Sequence, residues 1–208
     1  RGGTTGETNT MTTYYSNGKL FITGKYEVLD GALALALPTK FGQSLSIEPI
    51  EERKIRWTAL DHQEKQWFRQ EFRFTGSELQ EAEGNASPEV VQDLKKILQE
   101  AHSLNPAIFS EDKGFKVTTQ LDFPRDWGLG SSSTFINNIA QWFGIDAYKL
   151  VARPFSGSGV DIAAEQRYIP ITFQNTRKGH CRLAPSYDQD FQEDSVVFSV
   201  NQSKHTSA

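Results

Sequence analysis

Apolar and polar positions alternate along the first third of the chain, broken by glycine at short intervals. In residues 14–48, YYSNGKLFITGKYEVLDGALALALPTKFGQSLSIE, apolar runs at Leu20–Thr23, Ala32–Leu37 and Ser44–Ile47 are separated by Asn17-Gly18, Asp30-Gly31 and Pro38. That punctuation predicts strands joined by turns. Residues 53–75 alternate aromatic or aliphatic with polar residues on either side of LDHQEK, the pattern of a hairpin with one wet face. Its aromatic residues Trp57, Trp67 and Phe72 suit either a core or the surface of a second copy, which leaves a homodimer open.

The period then changes. After the polar text GSELQEAEGNAS, read as a connector, Val90, Leu94, Ile97, Leu98 and Ala101 recur at helical spacing behind Ser87-Pro88, a natural N-cap followed by the first helical residue. GFKVTTQLDFP alternates again and predicts a strand with Phe115, Val117, Thr119 and Leu121 on one side. A second helical stripe, Phe135, Ile136, Ile139, Ala140 and Phe143, ends at Gly144, and Asp146 is placed to cap a third helix running to about Arg153. SGSGVDIA reads as a glycine-rich turn, and RYIPITFQN and DSVVFSV as closing strands. Strands and helices mix without strict alternation and no repeat recurs, so the expectation is a single α+β domain. The leader RGGTTGETNT, residues 1–10, and the tail 201–208 are set apart from the domain at 11–200.

Composition narrows the function classes. The 208 residues carry 22 Lys and Arg against 26 Asp and Glu, a net charge of −4, with a pI near 5.6. The basic residues are scattered, which argues against nucleic acid as a partner. A lone cysteine, Cys181, forms no internal disulfide, and no apolar run is long enough for a membrane helix. A cytoplasmic protein with no membrane partner is expected. His62, His102, His180 and His205 show no ligand spacing, so no transition-metal site is expected.

The candidate chemistry lies between the strand predicted over GFKVTTQLDFP and the second helix. PRDWGLGSSSTF places Gly128, Leu129, Gly130, Ser131, Ser132 and Ser133 directly before a helix. Glycines there let an anion approach the backbone, and the first helical N–H groups point at it. The blander reading is a glycine–serine turn with a serine cap. Neither the Walker loop nor the dinucleotide fingerprint is present. Asp161, behind the turn SGSGV, suits either a proton-accepting carboxylate or the cap of the following IAAEQ turn. Lys19 in SNGKLFITG reads locally as an ordinary lysine.

Together these segments resemble one family. NGKLFITGKYEVLDGALALALPT, PRDWGLGSSSTF and GSGVDIA are similar, in order and spacing, to the first motif, the phosphate-binding motif and the catalytic aspartate segment of the GHMP small-molecule kinases. The bacterial branch with a GYDIA signature, related to mevalonate kinase, is the nearest in pattern. The resemblance implies the ribosomal-protein-S5-type α+β fold, ATP and Mg²⁺ as cofactors, and a small-molecule substrate, mevalonate or a related isoprenoid precursor. It further implies ATP phosphates on Gly128–Ser133, Mg²⁺ on Ser132, Asp161 as the base for the substrate hydroxyl, Lys19 as the cation holding Asp161 ionised, and Lys25 and Tyr26 near the substrate. Such an arrangement answers what phosphoryl transfer asks of a protein: positioning, charge neutralisation and an oriented nucleophile.

Three positions depart from the family pattern. Leu150 stands where mevalonate kinases carry a glutamate ligand for Mg²⁺, Lys25 where an acid is usual, and Val160 in place of the signature tyrosine. The family's second domain has no counterpart in these 208 residues. A nucleotide-binding domain without turnover is therefore the alternative to a kinase, and an S5-like RNA-binding module a third reading, disfavoured by the acidic charge.

Overall fold

The computed structural model describes residues 10–23, 33–75, 78–109, 113–151, 171–175 and 181–185. Its strands are β1 (Thr12–Thr23), β2 (Leu33–Ile50), β3 (Lys54–Leu60), β4 (Gln66–Thr75), β5 (Glu78–Gly84), β6 (Gly114–Leu121), β7 (Ile171–Asn175) and β8 (Cys181–Pro185). Its helices are α1 (Pro88–Leu104), α2 (Ser131–Phe143) and α3 (Ala147–Val151). The strands form one mixed sheet in the order β5-β4-β3-β6-β2-β7-β8, with β1 paired to β2. All neighbours run antiparallel except β3 and β6. The expected α+β class is the one observed.

The long strand β2 organises this sheet. One edge carries β1 throughout, while the other pairs with β6 over Gln43–Ile50 and with β7 over Leu33–Ala36. The turns expected at Asn17-Gly18 and Pro38 do not form. β1 and β2 run through both places, and the ladder slips instead: Asn17 pairs with Gly42 while Lys19 pairs with Pro38. Residues 39–41 of β2 thus stand opposite Gly18 alone, an excess of two residues on β2, and the Thr39 hydroxyl donates to the Phe41 carbonyl at 2.7 Å within the irregularity. A glycine and a proline that locally suit a turn serve equally well at a bulge when ladder pairing continues on both sides. Asp30-Gly31 lies outside the described residues.

The expected hairpin is β3–β4. Its tip is closed by Asp61, whose carboxylate accepts from the backbone N–H groups of Gln63 and Lys65 at 2.9 Å each. The Lys65 amide in particular holds the Asp61 carboxyl below its usual range. The expected connector after it is a strand, β5, paired to the edge of β4 with only Leu79 buried. One anchored side chain on an edge strand leaves almost no alternation to read. β8 was also unforeseen, five residues paired to β7, whereas DSVVFSV lies outside the described residues.

Helices α1 and α2 cover one face of the sheet. Leu45, Ile55, Trp57, Phe72 and Val117 from the strands are buried against Leu94, Leu98, Ile139 and Phe143 from the helices. Around them, Trp142 meets Phe143 and Phe115 with ring centroids 4.9 and 5.4 Å apart, and Phe109 meets Phe143 at 5.1 Å. Each such aromatic side chain removed from water contributes about 1.5–3 kcal/mol. Trp57 and Phe72 are core residues, whereas Trp67 remains 39% exposed. In α1 the buried phase runs through Val91, Leu94, Ile97, Leu98 and Ala101, and Val90 is exposed. Ser87 occupies the N-cap position without a side-chain hydrogen bond. Asp146 caps α3 as expected, its carboxylate accepting from the Tyr148 amide at 3.0 Å.

The other face carries charge. Glu71 is nearly buried between Lys54 at 3.4 Å and Arg56 at 3.3 Å, and Glu52 pairs with the same two cations. The hydrogen bond from Lys54 leads in holding the Glu52 carboxyl below its ordinary value.

A polar seam fastens α2 to β1 and β2. The Ser16 hydroxyl donates to Asn138 Oδ1 at 2.7 Å and accepts from Asn137 Nδ2 at 2.7 Å. Asn138 Nδ2 donates to the Gln43 carbonyl at 2.8 Å, and the Thr134 hydroxyl donates to Gln43 Oε1 at 2.9 Å. All five residues are buried. Removing one member strands its partners away from water. Asn138→Ala is expected to cost about 2 kcal/mol, read as a lower urea midpoint at unchanged slope; a loss under about 0.5 kcal/mol would show that the seam does not hold the helix.

Candidate functional site

The loop from Gly128 to Ser133 is built by its glycines. Gly128 has φ 70° and Gly130 φ 83°, left-handed conformations that cost an L-residue about 1–2 kcal/mol. Gly144, at the other end of α2, has φ 62° and its N–H bonds back to the Gln141 carbonyl, so it ends the helix as expected. Gly130 is the N-cap of α2 and no side chain caps it. Its carbonyl accepts the Thr134 amide at 3.0 Å, which starts the helix and leaves the amides of Ser131 and Ser132 without an intrahelical acceptor. The first turn, Ser131–Thr134, holds no carboxylate. Ser132 is exposed, Ser131 partly so, and Ser133 is buried.

β1 braces this loop from the side. The Lys19 amide donates to the Leu129 carbonyl at 3.0 Å, and the Leu129 side chain is buried with Leu121 and Phe123. The contact is possible only because residue 18 is glycine: a Cβ there would stand 2.8 Å from Thr39 Oγ1 and 2.9 Å from the Leu129 carbonyl. The Lys19 side chain, only 4% exposed, reaches α2 itself. Its ammonium lies 3.1 Å from Ser133 Oγ and 5.3 Å from the Phe21 ring centroid. Ser133 in turn donates to the Gly130 carbonyl at 3.1 Å. A buried ammonium is thus added to the positive end of the helix.

Of the residues the sequence singled out, the structure brings Lys19 and Gly128–Ser133 together. Lys25, Tyr26, Val160 and Asp161 lie outside the described residues. Leu150 is fully buried in the core cluster, an apolar anchor of α3 where the family pattern carries a carboxylate. No group of three or more histidine, cysteine, aspartate or glutamate residues suited to a metal ion occurs among the described residues. No helix among them is long and apolar enough to cross a membrane.

Beside the helix start lies a feature that the sequence did not reveal, a cavity of about 250 Å³. Ser131 and Ser132 form one end. Trp57, Phe68, Leu94, Phe135 and Ile136 supply apolar walls, and Gln43, Thr119, Asp93 and Arg125 supply polar atoms. Its walls come from β2, β3, β4, β6, α1 and α2, so no single segment could announce it. The one local sign is the exposed pair Trp67 and Val90 at 39% and 37%, both lining the cavity. A concave, largely apolar space with a few convergent polar groups is the usual form of a small-molecule site.

No family model and no curated protein matches this chain. Solved structures do. A D-glycero-D-manno-heptose 1-phosphate kinase from Bacteriodes thetaiotaomicron superposes with a TM-score of 0.62 at 18% identity, over 85% of this chain and 60% of that one. The mevalonate kinase of Methanococcus jannaschii gives 0.58 at 14%, over 84% and 56%. Lactococcus lactis galactokinase, solved with galactose, gives 0.56 at 15%, over 87% and 48%. The fold is that of the N-terminal domain of GHMP small-molecule kinases, and the chain spans between 48% and 60% of the length of these three proteins.

Gly18→Ala tests the brace on the loop. Overpacking against Leu129 is expected to cost about 1–3 kcal/mol and to speed amide hydrogen exchange across residues 128–133. Unchanged exchange there would show that β1 does not hold the loop.

Proposed function

We propose that the protein belongs to an ATP- and Mg²⁺-dependent small-molecule kinase that phosphorylates a hydroxyl of its substrate, mevalonate or a related isoprenoid precursor. The observation that carries this reading is the start of α2. Two left-handed glycines, an uncapped helix terminus and the buried Lys19 converge beside an apolar cavity. The kinase fold of the structural neighbours supports it.

The residues present fit a nucleotide. The cavity volume suits a base, and Ser131 and Ser132 close its end where phosphates would meet the helix. MgATP, when bound, supplies the phosphoryl group. The amides of Ser131 and Ser132 would bind phosphate oxygens, and Gly128 and Gly130 allow their close approach. Ser132, the exposed hydroxyl, would hold Mg²⁺. Lys19 adds fixed positive charge beside this terminus, which favours the charge that spreads over the transferring group. Asp161 would accept the proton of the substrate hydroxyl, and Lys25 and Tyr26 would contact the substrate.

A second reading, a nucleotide-binding domain without turnover, is favoured by Leu150. Its burial leaves Mg²⁺ without the carboxylate that mevalonate kinases supply at that position.

The test is ADP release from MgATP with mevalonate, phosphomevalonate, homoserine and galactose in turn. Turnover with one substrate is expected, with a fall of about 10²-fold or more in Asp161→Asn. Bound MgATP with silence on all four favours the second reading, and no MgATP binding sinks both. Ser132→Ala is expected to weaken MgATP more than metal-free ATP in a calorimetric titration; equal losses would remove Ser132 from the metal.

A further inference from the structure

Arg125 lies in the short 3-10 turn Arg125–Trp127, three residues ahead of Gly128. Its guanidinium carbon stands 4.0 Å from the centroid of the Trp67 ring near the start of β4. Both residues line the cavity. The contact therefore joins two parts of the cavity lining, from the β3–β4 hairpin to the stem of the glycine loop. Trp67 and Arg125 stand 58 positions apart in the sequence, so the contact links side chains of segments that are distant along the chain. The other charged residue lining the cavity, Asp93 on α1, is exposed and lies 3.9 Å from Lys96.

We propose that Arg125 is a positioning residue that couples the cavity to the glycine loop: stacked on Trp67, it makes base and phosphates of a purine nucleotide bind as one unit. The proposal rests on the nucleotide reading above and extends it to a residue with no assigned role. A guanidinium suits the task because it is flat. Its face can lie on an indole while the N–H donors around its edge stay in the ring plane, free to reach a phosphate oxygen. A base entering the cavity restrains Trp67, Trp67 restrains Arg125, and Arg125 restrains the turn that leads into Gly128. A lysine would keep the charge and lose the face.

Calorimetric titration of the chain with MgATP, magnesium tripolyphosphate and adenosine separates the contributions. Wild type is expected to bind MgATP more tightly than tripolyphosphate by at least tenfold. Arg125→Lys and Trp67→Ala are each expected to weaken MgATP about tenfold, in the range of a cation–π contact that excludes water, with tripolyphosphate changed less than about threefold. The double variant Arg125→Lys with Trp67→Ala is expected to be no weaker than the worse of its two single variants. Trp67→Phe keeps an aromatic face and is expected to stay within about threefold of wild type, which separates loss of the stack from loss of the fold. Arg125→Lys at wild-type affinity, or additive losses in the double variant, would overturn the coupling. Wild type binding tripolyphosphate as tightly as MgATP would overturn it too while leaving the phosphate site standing. Binding of neither would overturn the nucleotide reading itself.

Discussion

Burying an amide or hydroxyl is tolerable only when its hydrogen bonds are made, and that constraint sets where α2 sits. Ser16, Gln43, Thr134, Asn137 and Asn138 satisfy one another between the helix and the first two strands. Apolar packing alone would let α2 slide or roll by a residue at modest cost, because one aliphatic side chain fills another's place tolerably well. A slide in this seam would leave several buried polar groups without partners. The middle of the helix thus decides where its first turn points, and the glycine loop inherits its aim from residues further along α2 and on β1 and β2.

The loop is then held from both ends. Leu129 fixes it from below by burying its side chain and from the side by accepting the Lys19 amide. The same strand residue sends its ammonium to Ser133, so one position on β1 contributes backbone order and charge together. The bulge in the β1–β2 ladder brings Gly18 against Leu129, and an unbroken ladder would carry β1 past it. Left-handed glycines and an uncapped helix start cost stability, and the aromatic packing of Trp57, Phe109, Trp142 and Phe143 on the core side supplies it. A site held this firmly suits a reaction that depends on fixed charge and position.

The two faces of the sheet divide the work. Helices, core and cavity share one, so the cavity walls at Trp57, Phe68, Leu94 and Ile136 are side chains buried in the core. The other keeps the nearly buried Glu71 among Lys54, Arg56 and a more distant Arg69, so a carboxylate withdrawn from water there has cations on hand. Leu150 shows the same division at the level of one residue. A position where the family pattern carries a carboxylate serves here as apolar packing for α3.

What the sequence by itself determined is what depends on neighbours a few residues away. The class, the hairpin with its Asp61 tip, both main helices with Gly144 as a stop, and the glycine loop before α2 could all be read from period, capping and turn chemistry. Local signals failed where pairing partners lie far along the chain. Asn17-Gly18 and Pro38 read as turns but sit in continuous strands, since the β1–β2 ladder continues on either side of the irregularity. GSELQEAEGNAS read as a connector, yet its residues Glu78–Gly84 form an edge strand, since one buried leucine is enough to hold it. The pair Asn137-Asn138 inside an apolar stripe was the one available hint of the seam, and it could not name Ser16 or Gln43. The cavity, the bracing of Leu129 by Lys19 and the contact of Arg125 with the Trp67 ring belong to the tertiary structure alone, because each joins residues from segments that lie far apart along the chain.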